Sequence, residues 1–384
     1  MTSPEKQLHP GELSILPVSN HKDLEQFIRV PWSLYDDDPC WIAPLMFERK
    51  EHLSDKNPYF KHARWQAWVA FRNDHPVGRI SAQVDQLRLE KYGDNTGLFG
   101  FLEADDDPDI FRLLLETACD WLREQGMSRV QGPFSFSIND ECGLLVEGFD
   151  TPPCFMMGHA RPYYGGRIEA LGYSKAKDLL AYRVDPHIGV PRVMSKLIEK
   201  SSKRVTISPF KRTRLKEGLA TLRELFNDAW AGNWGFVPFT HEEFDELGRN
   251  LVRLVDKDFI QVAAVDGKPA AMIVALPNLN EAARDFNGRL LPLGWLKLLW
   301  RLKRHKLRTA RVTLMGVRQE YQNSRLGMAL AYTLIDTVRI ALITKGVYEV
   351  EMSWILEDNA NMRHILESIG GEPYKRYRIY EKDI

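Results

Sequence analysis

Apolar positions along the chain follow two periods, an alternation that marks strands and a spacing of three to four that marks helices, and the two succeed each other in the same order twice. In the first half, Glu12 to Val18 reads as a strand and His21 to Arg29 as a helix, followed by an aromatic loop, VPWSLYDDDPCWIAP, from Val30 to Pro44. Trp32, Tyr35 and Trp41 either line an apolar site there or anchor the loop to a core. ARWQAWVAFR, from Ala63 to Arg72, and the VGRISAQVDQ beyond the turn Asn73-Asp74-His75-Pro76 predict a hairpin. Gly97 to Glu103 is an apolar strand. An acidic turn ending at Asp107 and Pro108 then offers an N-cap and a first-turn proline to a helix that runs to about Gln125 and stops at Gly126. Met127 to Ser137 reads as the next strand, and a helix and the strand-like LLAYRV close the half before the breaker-rich Asp185 to Val193.

The second half restarts the order. Arg204 to Pro209 is strand-like, Leu215 to Trp230 is helical with Leu222, Leu225, Phe226 and Ala229 on one face, and Thr240 caps a helix reaching Leu254, with Glu243 completing a capping box. Asp258 to Val265 and Ala270 to Leu276 form a hairpin about Asp266-Gly267. After an insertion, Arg311 to Val317 reads as a strand, and Leu326, Leu330, Leu334 and Val338 mark a helix. Val347 to Leu356 is a strand, Asn359 to Ser368 a helix, and Tyr374 to Glu381 the last strand. The loop between Val317 and Leu326 opens a helix, where free backbone N–H groups and the positive end of the dipole suit a phosphate or pyrophosphate. The plain alternative is a strand-to-helix turn with a glycine.

Those loop residues resemble a family. V-x-x-E-Y-Q-x-x-x-x-G-x-A-L, here Val317, Glu320, Tyr321, Gln322, Gly327, Ala329 and Leu330, looks like the signature of the GNAT acyltransferases, whose Q/R-x-x-G-x-G/A loop cradles the pyrophosphate of an acyl-CoA. Gln322 fills the first position and Gly327 the last, while Arg325 stands where the family has its first Gly and could meet phosphate directly. The resemblance implies an α+β fold of two tandem GNAT-like domains, each a mixed, mostly antiparallel twisted sheet flanked by helices. The expected N-terminal domain, 1–185, lacks the CoA loop, because its strand passes into EADDDPD, whose carboxylates repel pyrophosphate. A linker at 186–203 and a C-terminal domain at 204–384 come next, the latter carrying the pyrophosphate loop and a basic amphipathic insertion at 281–310.

Carried onto this sequence, the family's cofactor contacts fall on Met315, Gly316, Val317, Gln322, Asn323, Ser324, Arg325, Leu326, Gly327 and Met328, with Asn359 on the next helix. A backbone N–H near Met315, Gly316 and Val317 would hold the thioester carbonyl and stabilise its developing charge. The general base is expected at Glu349, Glu351 or Glu357, and alternation along YEVEMSW puts Glu349 and Glu351 on one face, opposite Val350 and Met352. The family's N-x-x-A-x-x-L-Y helix reads here Asn359, Met362, Ile365 and Leu366, so its acid tyrosine is missing. Tyr374, Tyr377 or Tyr380 would replace it, or a thiolate whose free pKa is about 8.5 leaves unaided. Glu349, Glu351 and Tyr380 make the expected catalytic set.

Composition narrows the class. At 384 residues the chain suits two domains, and its 52 basic and 52 acidic residues cancel, so no global field draws it to nucleic acid. Cys40, Cys119, Cys142 and Cys154 lie far apart without a CxxC pair, which argues for free thiols and against a metal site. Residues 1–30 lack a signal peptide's apolar core, and no uninterrupted apolar run is long enough to span a membrane, so the expected location is cytoplasmic.

The insertion alters that picture. Its leucines, Trp295 and Trp300 interleave with Lys297, Arg301, Lys303, Arg304 and Lys306, and no acidic residue occurs from Phe286 to Val317. This suits peripheral contact with an anionic inner membrane through 289–306, at roughly 1 kcal/mol per basic residue; the alternative is a surface helix with leucines on the core and lysines in water. Asn139, Asp140, Glu141 and His159 lie among glycines and prolines in a long connection, as a site or as turn caps. The tandem layout, the LEDN segment, the GGEPYKRYRIYEK ending and the insertion also resemble bacterial GNAT-type proteins that include ceramide synthases. That resemblance implies an N-acyltransferase with acyl-CoA or acetyl-CoA as cosubstrate, an amine such as a sphingoid base as acceptor, and no permanently bound cofactor. The other class is a non-catalytic GNAT-fold protein that binds acyl-CoA or a lipid surface.

Overall fold

The computed structural model describes residues 12–252, 254–304 and 307–384; residues 1–11 of the expected first domain, and residues 305–306 of the segment expected to meet a membrane, lie outside the described residues. Two compact units emerge. The first comprises the described residues up to Pro152, Gly158–Ala176 and Arg378–Ile384; the second comprises Pro153–Met157 and Lys177–Tyr377.

The first unit forms β1 (Leu13–Pro17), α1 (His21–Leu34), α2 (Met46–His52), β2 (Ala63–Arg72), β3 (His75–Asp85), α3 (Gln86–Tyr92) and β4 (Thr96–Ala104). It continues with α4 (Pro108–Glu124), β5 (Arg129–Gly132), β6 (Phe134–Ser135), β7 (Glu141–Cys142), β8 (Leu144–Glu147) and α5 (Tyr164–Ala170). Next come β9 (Ser174–Val184), α6 (Arg192–Ser201), β10 (Val205–Pro209), α7 (Leu215–Ala229), α8 (His241–Val252), β11 (Ile260–Val265), β12 (Lys268–Pro277) and α9 (Leu279–Ala283). The chain then forms α10 (Gly294–Arg304), β13 (Thr309–Val317), α11 (Arg325–Thr344), β14 (Glu349–Leu356), α12 (Ala360–Ser368) and β15 (Glu372–Asp383), whose residues from Arg378 count with the first unit.

Strand order in the first unit is β1-β2-β3-β4-β5-β15 and in the second β10-β11-β12-β13-β14-β9. Each is mixed and mostly antiparallel, with a parallel pair at β4–β5 and at β13–β14, and helices flank both. The fold is therefore α+β, with two similar strand orders in tandem.

Local chemistry explains the boundaries. Asn20 Oδ1 accepts from Lys22 and Asp23 N–H to start α1, Asp107 caps α4 ahead of Pro108, and Thr240 with Glu243 closes a reciprocal capping box on α8. Asn73-Asp74 and Asp266-Gly267 carry positive φ, as two-residue hairpin turns require. Two sequence expectations are corrected. α1 runs through Pro31 to Leu34, because a proline removes only one ladder bond and Phe27, Ile28, Val30 and Leu34 gain a core face by continuing. The strand expected from Met127 to Ser137 breaks at Pro133, which cannot donate to a ladder.

The first core is aromatic. Phe27 and Phe136 meet Phe101 edge-on at 5.8 and 5.4 Å, and Tyr35 stacks on Trp41 at 5.4 Å, so the aromatic loop anchors here. In the second unit, Leu330, Leu334, Val338 and Leu342 of α11 pack with Ala271 to Leu276 of β12. Among the described residues α11 is the one helix long and apolar enough to cross a membrane, and half of it is buried in this unit.

Candidate active site

β13 pairs in parallel with β14 from Thr309↔Glu349 to Val312↔Met352, where the ladder ends, although the strands run on to Val317 and Leu356. The two strands part. Past the last rung, Trp354 Nε1 is buried with no hydrogen-bond partner among the described residues, a donor left available on the parted strand.

The loop at the end of β13 is drawn tight by its own side chains. Gln322 Nε2 donates to the Val317 and Ala229 carbonyls at 2.8 and 3.0 Å, and Ser324 Oγ donates to Tyr321 O at 2.6 Å while accepting from Gly327 N–H at 3.0 Å. Asn323 is left-handed at φ 57, and a Cβ on Gly327 would fall 2.1 Å from the Tyr321 carbonyl oxygen. Only glycine allows that approach. The loop delivers the N-terminus of a 20-residue helix, α11, flanked by exposed Arg325, which makes no ion pair among the described residues. Helix N–H groups, dipole and guanidinium converge there, so these residues fit a pyrophosphate. Gln322 shapes the loop rather than offering its amide to a ligand. Met315 and Val317 are half-buried, Leu326 likewise, Met328 is exposed, and a Cβ on Gly316 would strike the Trp230 ring at 2.2 Å. Asn359 Oδ1 is occupied capping α12 through Met362 N–H at 3.1 Å, whereas Asn361 Nδ2 reaches Asn323 Oδ1 at 2.8 Å.

One residue before the last rung, Glu351 sits in a buried polar cluster. Its Oε1 accepts from Ser353 Oγ at 2.6 Å and lies 3.6 Å from Arg311 Nε, its Oε2 accepts from the Tyr374 hydroxyl, and both Arg311 and Glu351 side chains are 3 % exposed. Arg311 also donates to Ser353 Oγ at 2.8 Å and to the Phe155 and Met156 carbonyls at 3.1 Å each. Burial, then the adjacent Glu351 carboxylate, hold the Tyr374 hydroxyl far above its usual range and push the Cys154 thiol up, so both keep their protons at neutral pH. Glu349, two residues back at the closed end of the ladder, has its carboxyl raised by burial and by Glu351, against the pull of Arg183 at 3.8 Å. Glu349, Glu351 and Ser353 share a face, as the alternation predicts. Glu357 is engaged elsewhere, accepting from Asp178 N–H at 3.1 Å. Tyr380 belongs to the first unit, where its hydroxyl donates to Glu169 at 3.0 Å. Arg311, Ser353 and Cys154 were not singled out by sequence reasoning. A charge inside the apolar run RVTLMGV was the available signal, since a buried guanidinium demands a partner.

In the first unit the chain that follows the parallel pair stays against its neighbour strand. β4 and β5 pair from Thr96↔Arg129 to Leu98↔Gln131, and the chain after β5 then lies close against β4. A Cβ on Gly100 would lie 1.8 Å from the Phe134 carbonyl oxygen, and Gln83 Nε2 ties down Phe134 O at 2.7 Å and Phe136 O at 3.0 Å. Beside it, half-buried Glu103 accepts from the Tyr35 and Tyr164 hydroxyls at 2.6 and 2.9 Å. The long connection's polar residues hold structure: Asp140 accepts from Ser137 Oγ at 2.8 Å, Glu141 pairs with Arg49 at 2.5 Å and His159 meets Asp38 at 2.9 Å.

α10 reverses the usual surface-helix arrangement. Leu291, Leu293, Trp295, Leu296, Leu299 and Trp300 are exposed, Leu293 at 67 % and Trp300 at 52 %. Lys297 and Arg301 instead turn to Asp285, at 2.5 Å for Lys297 and 2.9 Å for Arg301 Nη2.

Folds of this kind are known. A tandem GNAT protein from the clavulanic acid biosynthesis pathway superposes with a TM-score of 0.57 at 15 % identity, covering 97 % of this chain and 98 % of that one. A GCN5-related N-acetyltransferase from Sphaerobacter thermophilus gives 0.53 at 11 % identity, over 96 % and 95 %. These define the class as a tandem GNAT fold. No family model matches the chain. Sequence relatives are nearer: Protein YghO of Escherichia coli (strain K12) is 53 % identical over 368 residues, 95 % of this chain and 94 % of that protein. Bacterial ceramide synthase of Caulobacter vibrioides (strain NA1000 / CB15N) is 43 % identical over 375 residues, 97 % of this chain and 98 % of that protein. The chain belongs to the family of these two relatives, the bacterial ceramide-synthase-like proteins, and has the tandem GNAT fold.

Proposed function

We propose that this protein is an acyl-CoA-dependent N-acyltransferase that joins a long acyl chain to a lipid amine of the sphingoid type. The observation that carries the reading is the parting of β13 and β14 between an anion-binding helix N-terminus and a buried acid cluster at Glu351. The relative named bacterial ceramide synthase supports the substrate class. In this reading Arg325 and the first N–H groups of α11 hold the pyrophosphate, and a backbone N–H of Met315 to Val317 receives the thioester oxygen. The amine nitrogen attacks the thioester carbon, the C–S bond breaks as the C–N bond forms, and the amine loses a proton toward Glu351. Tyr374, protonated and already bonded to Glu351, gives its proton to the departing thiolate and is refilled from that carboxyl group. Tyr374 thus takes the acid role in place of Tyr380.

The exposed apolar side of α10 supports contact with an anionic inner membrane, from which a lipid amine is reached. Co-sedimentation with phosphatidylglycerol vesicles should fall at least fivefold in a Trp295→Ala, Trp300→Ala double variant; unchanged partitioning would remove the membrane from the proposal. The core test is calorimetry with CoA, acetyl-CoA and palmitoyl-CoA, followed by CoA release with a sphingoid base. Binding without release, with every amine tried, favours the non-catalytic reading, and absence of binding sinks both.

A further inference from the structure

We infer that the distal part of the acyl chain lodges in an apolar cavity on the α11 face of the second unit's sheet. This rests on the acyltransfer reading of the same site. The cavity is lined by Val312, Val350, Met352, Ile335, Val338 and Leu342, and lies under the segment from Pro186 to Val190. Val312 and Met352 form the last rung before β13 and β14 part, so the cavity begins where the gap ends. From Met315, where the thioester carbonyl is held, back to Val312 is three residues of strand, roughly 10 Å. An acyl chain extending from that carbonyl along the gap runs out at this rung.

Alternation along β14 separates the two chemistries. Glu349, Glu351 and Ser353 carry the acid cluster on one face, and Val350 and Met352 line the cavity on the other. The amine and the tail are thereby kept apart. Arg339 is the charged residue on the wall, and its guanidinium is turned away, donating to Asp336 Oδ1 at 2.9 Å and to the Pro186 carbonyl at 3.1 Å. That second bond ties down the covering segment. The cavity is narrow, about 30 Å³, so a long tail enters by lifting Pro186–Val190, whose Ile188 is already 45 % exposed. Each methylene taken from water then contributes about fourfold in affinity.

The test uses the full chain. Affinity for acetyl-, octanoyl- and palmitoyl-CoA is measured by calorimetry, and kcat/KM for the same three with a sphingoid base by CoA release. Wild type should bind octanoyl-CoA at least tenfold more tightly than acetyl-CoA. Val338→Phe, which fills the cavity, should lower the palmitoyl-to-acetyl ratio of kcat/KM at least tenfold, and Leu342→Ala, which enlarges it, should shift the preference toward the longer chain. If one variant fails to fold, the other still decides. Chain-length-dependent binding without turnover would overturn the enzymatic reading and leave the cavity assignment standing. Turnover with length preference unchanged in either folded variant, or wild-type affinity independent of length, would overturn the cavity assignment alone.

Discussion

The two units carry the same parallel pair of strands and continue it in different ways. In the first, the Phe134 carbonyl is driven against Gly100 and Gln83 fastens it, so backbone lies tight on the strand and the nearby carboxyl, Glu103, is spent on two tyrosines. In the second, the glycine on the parted strand, Gly316, meets a side chain, Trp230, and the strand leads into a helix N-terminus with an exposed arginine. Acidic residues end β4 where a tight, glycine-dependent loop ends β13. In the reading proposed above, one architecture serves as scaffold in the first case and as site in the second, and the difference lies in the segment into which each strand runs.

The largest effects should come from exchanging glycines across that contrast. Gly327→Asp puts a carboxylate and a forbidden Cβ in the loop; acyl-CoA affinity of the folded protein should fall more than 100-fold, and the clash with the Tyr321 carbonyl should also cost about 1–3 kcal/mol of stability, measured by calorimetry and thermal unfolding. Gly100→Ala should cost about 3 kcal/mol of the first unit's stability but leave binding by the folded protein unchanged. If Gly100→Ala alone abolishes binding, the first unit is not merely a scaffold.

Next come the two acids. Glu351→Gln should reduce kcat about 100-fold and Tyr374→Phe about tenfold, with KM for acyl-CoA little changed. Glu351→Ala is a poorer probe, because beyond the lost charge, which Gln also lacks, it removes the acceptor oxygens that Ser353 and Tyr374 use beside buried Arg311, at a cost of about 3–5 kcal/mol. Glu103→Gln should leave kcat within twofold; a large loss would mean that the first unit's carboxyl takes part in turnover.

A smaller effect is expected at Gln83, where Gln83→Leu orphans two carbonyls and should lower stability by about 2 kcal/mol without altering turnover below the melting range. The smallest is a slope with pH. Burial raises the Glu103 carboxyl above its ordinary value, with Arg79 and the tyrosines opposing. The folded state therefore holds this proton more tightly than the unfolded chain, and the group's contribution is complete below the unfolded value of about 4.3 and lost as pH rises through the raised folded value. Glu103→Gln should flatten that part of the stability profile, and an unchanged slope would place the raised carboxyl elsewhere.

The fold was largely legible because its signals are local. The turns at Asn73-Asp74 and Asp266-Gly267, the caps at Asp107 and Thr240, and the apolar stripe of α11 each depend on residues within a few positions. The loop motif was legible for the same reason, since Gly327 answers to Tyr321, less than two helical turns away in sequence. Residues 23 to 196 apart in sequence build the acid cluster: Tyr374 reaches Glu351, Ser353 reaches Met157, and Arg311 reaches the Phe155 carbonyl. No period announces such contacts, which is why three tyrosines of the last strand could not be told apart. The Gly132–Phe136 segment was hidden likewise, because its role depends on a carbonyl and carries no side-chain signature.

The last strand also has a bearing on how the chain matures. β5 pairs with β15 from Gly132↔Tyr380 to Arg129↔Asp383, and Gln131 Nε2 reaches Glu381 at 2.9 Å across a separation of 250 residues. While the protein is being synthesised, β5 emerges from the ribosome long before its neighbour exists, with that edge exposed and able to pair wrongly. The unit made first is thus finished last, after the residues of the other unit have been translated. Removal of residues 378–384 should therefore be felt as aggregation of the nascent first unit rather than as a local loss at the tail.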